Sequence, residues 1–519
     1  MEPEFKLISS LIWFPQAISQ TLLWLYWWQT KEYRWDRFKI LLKSSEGRKK
    51  LKLNYIALKI ALILLSCFIE SLSWITILLF LILDCQLLLK IIKREIRRPN
   101  LTFRAGIILL ISFIAILLTV IGTFPLIIGE LSLIISLVMG IILTALVVNQ
   151  AKKKMLKKAK IKLEKIKPIV IGITGSYGKT TTKDFIAHLL SQKYPTAKTT
   201  GNKNTSIGIA QEIIKNLKHN SKFFVVEMGA YRRGEINTLT KIVHPQIGII
   251  TGIEPQHLAL FGSLEEIKKT KFELIESLPA KGIAIFNFAN SYCRQMARQA
   301  KKLKSKLRIL SYGTQAKVIA ITTRGITFEI KKDKTKQRVS VPVAGVHLVE
   351  NLSAAILIAR IFDVSWAQIK QGCQTITTPQ KTMQVYQLKN GATIIDDSYN
   401  TNPQGFQAAL NYLSLFNKKK KIIFTPGIIE LGKSSSKIHQ KIGQLMAQTV
   451  DEIILTNQEF ADDIKKGLGK EAVKFKIIER SKKQQNQFLK LINNPNSVIL
   501  WEGRVPQNLI NLIEKIKNV

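Results

Sequence analysis

The run Gly172-Ile-Thr-Gly175-Ser176-Tyr-Gly178-Lys179-Thr180-Thr181-Thr182 joins a glycine-rich turn to a lysine and a string of hydroxyls. That set of residue types is a phosphate cradle. Glycines let backbone N–H groups converge on phosphate oxygens, a helix N-terminus adds positive potential, Lys179 brings a point charge and the Thr180 hydroxyl can ligate a divalent cation. The spacing departs from the strict G-x-x-x-x-G-K-[ST] pattern, because Ile173 stands where the first glycine would be. Further along come an amide-rich turn, Thr200-Gly201-Asn202-Lys-Asn204, and an apolar run ending in a carboxylate, Phe223 to Glu227. A polar turn then carries His257, and Lys271 follows 14 positions later. Each of these alone is commonplace; their order behind a phosphate loop is what points to nucleoside triphosphate chemistry.

The elements that must hold these residues are legible from apolar periodicity. Pro168–Ile173 is a β-branched run of strand type, and Asp184–Leu190 has helical apolar spacing, which predicts strand, glycine turn and helix in that order. Glu227 falls at the end of a buried strand, where parallel α/β sheets bind ligands. From Ala392 onward, strand and helix patterns alternate (392–395, 404–415, 421–425, 437–448, 452–455, 473–478, 497–501 and 508–516), which predicts a Rossmann-like domain. It lacks G-x-G-x-x-G, so a mobile substrate-binding lid is the expected role rather than dinucleotide binding.

Before Val148 the composition is different. Residues 7–28, 60–89 and 105–148 are dominated by Leu, Ile, Val, Phe and Trp. A membrane span takes about 20 apolar residues, so 105–148 predicts two helices turning near Gly122–Pro125. The 60–89 stretch predicts two short helices or one long one, interrupted by Glu70 and Asp84. The basic segments 31–52, 90–104 and 152–167 all belong on the cytoplasmic side by the positive-inside rule, which five crossings would satisfy. The expected organisation is therefore a transmembrane helical region (1–150), a central ATP-binding domain (151–380) and a C-terminal domain (381–519), with the catalytic part in the cytoplasm. Net charge is +43, spread over almost every segment, and no nucleic-acid motif accompanies it. The four cysteines (67, 85, 293 and 373) form no C-x-x-C pair, which argues against a zinc ribbon or a disulfide framework.

Taken together, Thr-Gly-Ser-x-Gly-Lys-Thr-Thr, Gly-Asn-x-Asn, Val-Glu227-Met-Gly-Ala, His257-Leu, Phe261-Gly-Ser and the Lys271 segment resemble the Mur ligase superfamily. Asp396-Asp397-Ser-Tyr-Asn-Thr-Asn-Pro403 and Glu430-Leu-Gly432 are similar to its D-alanyl-D-alanine-adding branch. The resemblance implies an α/β fold with a parallel-sheet P-loop domain and ATP-dependent amide-bond formation through an acyl phosphate in peptidoglycan-precursor synthesis. The partners it implies are a peptide or sugar-peptide carboxylate and an amine. It also implies roles residue by residue. Gly175, Ser176, Gly178, Lys179, Thr180 and Thr181 would bind phosphates. Thr180 and Glu227 would hold one Mg²⁺, with His257 and a carbamylated Lys271 around a second. Asn287, His347, Asn351 and Asp397 would lie on the nucleotide side.

Four departures set this chain apart, one of them Leu348, which stands where an asparagine often follows the histidine. Pro379-Gln-Lys381-Thr replaces the family's Gly-Arg, leaving Lys381 as the candidate cation for the γ-phosphate without an arginine's bidentate fork. Trp501-Glu-Gly503-Arg504 replaces Lys-Gly-Ser on the amine side, and apolar helices stand in place of the uridine-nucleotide domain. The acceptor is then a soluble precursor or a lipid-linked envelope carboxylate. Two competing readings are a degenerate nucleotide-binding scaffold and a transport conduit, the latter disfavoured by a scarcity of intramembrane ionisable groups, with Glu70 and Asp84 as the evident ones.

Overall fold

A computed structural model describes residues 3–504 apart from 44–46, 49–50, 52, 67, 70, 93–97, 123, 255–260, 333–334, 400, 429–430, 432–433, 470, 472 and 479–480. The chain forms two compact units, Met1–Lys154 and Met155–Val519.

The first unit is helical: Pro3–Thr30, Trp35–Lys43, Leu53–Ser66, Ser71–Ile92, Phe103–Ile121 and the first turns of Leu126–Ile166. The 60–89 stretch thus resolves into two helices, and 105–148 turns between Ile121 and Leu126 as its pattern predicts. Thr102 caps the helix Phe103–Ile121 by accepting the Ala105 N–H. Among the described residues, Phe103–Ile121 and Leu126–Ile166 are long and apolar enough to cross a membrane. Leu53–Ser66 has 14 residues, a rise of about 21 Å against a hydrocarbon layer of roughly 30 Å, so the five full crossings expected from hydropathy are not all matched by helix length.

The expectation that ionisable groups are scarce in this unit needs correction. Lys59 and Glu130, both 1 % exposed, pair at 2.5 Å. The Trp13 indole donates to Glu130 at 2.7 Å, Lys59 donates to Gln20 at 2.8 Å and Gln16 donates to Asp84 at 2.7 Å. Hydropathy windows average such residues away. Glu70 lies outside the described residues.

The second unit is built on two sheets. In the first, β1 (Ile169–Thr174), β2 (Thr196–Lys198), β3 (Phe223–Glu227), β4 (Ile247–Ile250), β5 (Ile283–Asn287) and β6 (Arg308–Tyr312) lie in the order β2-β3-β1-β4-β5-β6. All neighbours are parallel. Strands of this kind are covered on both faces and therefore read as unbroken apolar runs; every residue of β3 and β4 is buried. Chain winding reverses at β1, which has β3 on one side and β4 on the other, and the crevice beyond the carboxyl ends of such strands is where α/β sheets take ligands. Register brings Ile173 opposite Glu227, so the glycine turn and the carboxylate emerge side by side.

A three-stranded antiparallel sheet, β7 (Ala316–Thr322), β8 (Gly325–Lys332) and β9 (Thr335–Val341), follows β6. The sequence reading did not mark it. The last sheet holds β10 (Gln384–Gln387), β11 (Thr393–Asp397), β12 (Lys420–Thr425), β13 (Glu452–Leu455), β14 (Lys474–Ile477) and β15 (Ser497–Glu502), in the order β10-β11-β15-β12-β13-β14. It is parallel except for β10. The helix expected at 508–516 and the Glu430-Leu-Gly432 signature lie outside the described residues, the latter apart from Leu431.

Candidate functional site

Between β1 and the helix Lys179–Leu190 the chain turns through Gly175 at φ +154° and Gly178 at φ +73°. Neither position accepts a side chain. A Cβ on Gly175 would sit 2.2 Å from the Thr251 hydroxyl, and one on Gly178 would sit 2.7 Å from Asn351 Oδ1. Gly178 caps the helix without a side-chain acceptor, so first-turn N–H groups are left to a ligand. Lys179 Nζ folds back onto the carbonyls of Gly175 (2.9 Å) and Ser176 (3.1 Å). Burial pulls its pKa down, partly opposed by Glu227. The Ser176 hydroxyl accepts from Glu254 N, and burial raises the Glu254 carboxyl to about 7. Thr181 is buried, and the Thr182 hydroxyl donates to Asn351 Oδ1 at 3.1 Å. Asn351 thereby braces the loop from the helix His347–Ile361.

Beside the loop, Glu227 is 1 % exposed. Its Oε2 accepts from the Thr180 hydroxyl at 2.8 Å, and its Oε1 accepts from Asn204 Nδ2 at 2.9 Å. A hydroxyl and one carboxylate next to a phosphate-binding turn are a hard, oxygen-only donor set. That fits Mg²⁺, which keeps several waters and takes its other ligands from phosphates. Among the described residues no group of three His, Cys, Asp or Glu side chains converges. Sequence reasoning missed Lys183, whose Nζ lies 3.4 Å from Glu227 Oε2 and donates to the Gly201 carbonyl at 2.8 Å. No local signal marks it, since only the fold brings Gly201 and Glu227 to its ammonium.

Lys271, in the helix Leu264–Glu276, is 4 % exposed and donates to the Ala230 carbonyl at 3.3 Å. Burial first, and then the charge of Lys179, bring its ammonium down to about 7. An amine that sheds its proton near neutrality can add CO₂, so the side chain has the chemistry needed for carbamylation. His257, its expected companion, lies outside the described residues.

The nucleotide-side candidates are placed as follows. Asn287 ends β5 and is braced on all sides, donating to the Thr251 carbonyl (2.9 Å) and Glu350 (3.1 Å) and accepting the Ala289 N–H (3.0 Å). The His347 ring opens the helix His347–Ile361, and burial pushes it down to about 4, so it is neutral at physiological pH. Lys381 sits in the connection before β10 at φ +63°. Its carbonyl accepts from Tyr399 N (2.9 Å), and its ammonium makes no hydrogen bond or ion pair among the described residues. Asp397 ends β11, buried and in register with Glu502, and accepts the Met383 N–H at 3.1 Å. The nearby Tyr399, another residue missed from sequence, brings its hydroxyl against Thr180 and Glu227; burial and the Glu227 charge raise its pKa.

Residues 173–359 match the Mur ligase middle domain and residues 383–505 the Mur ligase, glutamate ligase domain. The UDP-N-acetylmuramoyl-tripeptide–D-alanyl-D-alanine ligase of Synechocystis is 31 % identical over 300 residues, covering 57 % of this chain and 64 % of the relative. The chain thus spans somewhat under two thirds of that relative. The Bacillus subtilis enzyme of the same name is 28 % identical, covering 69 % of this chain and 78 % of its own. Among solved structures, MurF from Acinetobacter baumannii superimposes with a TM-score of 0.62 at 28 % identity, covering 71 % of this chain and 81 % of that one. With both of these domains matched in order along one chain, the chain belongs to the Mur ligase family.

Proposed function

We propose that this protein is an ATP- and Mg²⁺-dependent ligase that joins an amine to a peptide carboxylate in cell-wall precursor synthesis, of the D-alanyl-D-alanine-adding type. The observation that carries the reading is the Thr180–Glu227 hydrogen bond at 2.8 Å beside the Gly175–Lys179 turn. It sets a divalent-ion corner next to a phosphate cradle, with Lys271 buried nearby. A carboxylate oxygen takes the γ-phosphoryl group of ATP, ADP leaves, the amine nitrogen attacks the acyl carbon and phosphate departs. Bound Mg²⁺ would offset negative charge on the phosphates. The protein's share is positioning and charge: loop N–H groups and Lys179 hold the triphosphate, Thr180 and Glu227 hold the ion, and Tyr399 carries the last sheet up to that corner. Lys271 in neutral form attacks CO₂ through Nζ and loses a proton, giving a carbamate.

The two helices of membrane-crossing length favour a precursor presented at the membrane, with the catalytic unit on the cytoplasmic side. The test is ADP release by the full chain in detergent micelles, with D-alanyl-D-alanine as amine and either a soluble UDP-N-acetylmuramoyl-tripeptide or a lipid-linked muramoyl tripeptide as acid. ADP formation that needs both acid and amine, and is lost in Glu227→Gln, supports the ligase. Higher turnover with the lipid-linked acid supports the membrane reading. ADP release indifferent to acid and amine refutes both.

A further inference from the structure

Lys183 is the most deeply buried cation of the catalytic unit, with 0 % of its side chain exposed. The helix Lys179–Leu190 presents two lysines one turn apart. Lys179 turns toward the phosphate loop, and Lys183 turns the other way into the sheet. There it meets Glu227 Oε2 at 3.4 Å, the Gly201 carbonyl at 2.8 Å and Asp184 Oδ1 at 3.7 Å. Gly201 belongs to the 199–204 turn, which is fastened to Glu227 by two other bonds, one to its carboxylate and one from its backbone N–H. Asn204 Nδ2 donates to Glu227 Oε1, and the Glu227 N–H donates to the Thr199 hydroxyl at 3.1 Å. Gly229 makes room for this, since a Cβ there would lie 2.7 Å from the Asn204 side chain.

A buried carboxylate needs a partner charge, or it is strongly destabilised. Here that charge is built into the helix that also carries the phosphate loop. A carboxylate offers about four lone-pair sites, and Thr180, Asn204 and Lys183 engage three of them. A bare divalent ion approaching Glu227 meets a carboxylate already neutralised and mostly occupied. An ion arriving with a triphosphate brings its own negative charge and is not opposed in the same way.

We infer that Lys183 is the internal counter-cation of Glu227, a positioning residue that ties the metal-ligating carboxylate to the 199–204 turn and keeps its affinity for a free divalent ion low. The inference rests on the reading of Thr180 and Glu227 as the magnesium corner. It is tested with Mn²⁺ alone, by electron paramagnetic resonance titration of the full chain in detergent without nucleotide. Lys183→Met and Lys183→Gln should each tighten Mn²⁺ binding at least tenfold, and Lys183→Arg should leave it weak. Lys183→Gln keeps a donor for the Gly201 carbonyl and so guards against loss of folding, which circular dichroism checks. Hydrogen exchange at 199–204 should quicken in Lys183→Met. Unchanged or weaker Mn²⁺ binding in both neutral variants overturns the inference. Titration of the wild type with Mn²⁺ and ADP separates the two levels: no Mn²⁺ bound there overturns the magnesium corner itself, whereas binding there with unshifted variants overturns only the role of Lys183.

Discussion

Replacing Glu502 by glutamine should flatten the pH dependence of the last sheet's stability. Asp397 and Glu502 end the paired parallel strands β11 and β15 at the same register position, 6 % and 0 % exposed. The Thr401 hydroxyl donates to Glu502, the Met383 N–H donates to Asp397, and the neighbouring Asp396 adds a like charge. Burial raises Asp397 from 3.8 to about 7; burial and the Asp397 charge hold Glu502 well above the usual carboxylate range. Glu502 thus carries the proton that the pair shares. Both acids bind protons more tightly folded than unfolded, so their contribution is present in full below the unfolded pKa and is lost as pH rises. For Asp397 the window runs from 3.8 to about 7. The linkage slope is about 1.4 kcal/mol per pH unit per proton, so the Asp397 share alone should fall by roughly 2 kcal/mol between pH 5 and 7, and Glu502 adds a loss of its own in the same direction. Glutamine cannot ionise and still donates to Asp397, so it removes the Glu502 share of that slope, while Asp397, raised first by burial, keeps its own. The assay is amide hydrogen exchange at 393–397 and 497–502 across pH 5–8, corrected for intrinsic rates, because a chain of several domains has no single unfolding transition. Wild-type protection should fall relative to Glu502→Gln as pH rises. Parallel profiles for the two proteins would refute the shared proton.

Gly178→Ala places a Cβ 2.7 Å from Asn351 Oδ1 at φ +73°, a left-handed strain of about 1–2 kcal/mol; calorimetry should show ADP affinity lowered roughly tenfold, and unaltered affinity would mean the loop rearranges freely. Lys59→Met leaves Glu130 buried without its cation and should destabilise the helical unit by about 3–5 kcal/mol, whereas Lys59→Met with Glu130→Leu should be near neutral; thermal unfolding in detergent distinguishes them, and equal losses would deny the coupling. Lys271→Met should reduce ligation on the order of a hundredfold with nucleotide binding retained. In the wild type, ¹³C-bicarbonate should give a carbamate resonance that grows between pH 6 and 8, as the amine near 7 loses its proton; no signal at any pH would exclude the modification.

Much of the catalytic unit was legible because its signals are local. The phosphate loop declares itself by glycines whose positive φ and close neighbours forbid side chains, and β3 and β4 declare themselves as unbroken apolar runs. Glu227 was marked by its place at the end of a buried strand behind such a loop, and its metal role came from the family resemblance, since a strand-end carboxylate alone is more often a salt-bridge partner or a cap. What escaped was carried by contacts distant in sequence. Lys183 reads as one more lysine in a chain of net charge +43, and only the fold sets it against Gly201 and Glu227. Glu502 reads as a departure from the family's lysine; only the β11–β15 register turns it into half of a carboxyl pair. The Lys59–Glu130 pair joins residues 71 positions apart, and a window of hydropathy sees each as a lone charge in an apolar run. In each case the residue type was visible and its partner was not, because a buried charge is defined by what neutralises it. Three of the buried charges are therefore where single substitutions should most sharply separate folding from function: Lys183 beside the proposed ion corner, Glu502 in the last sheet, and Lys59 in the helical bundle.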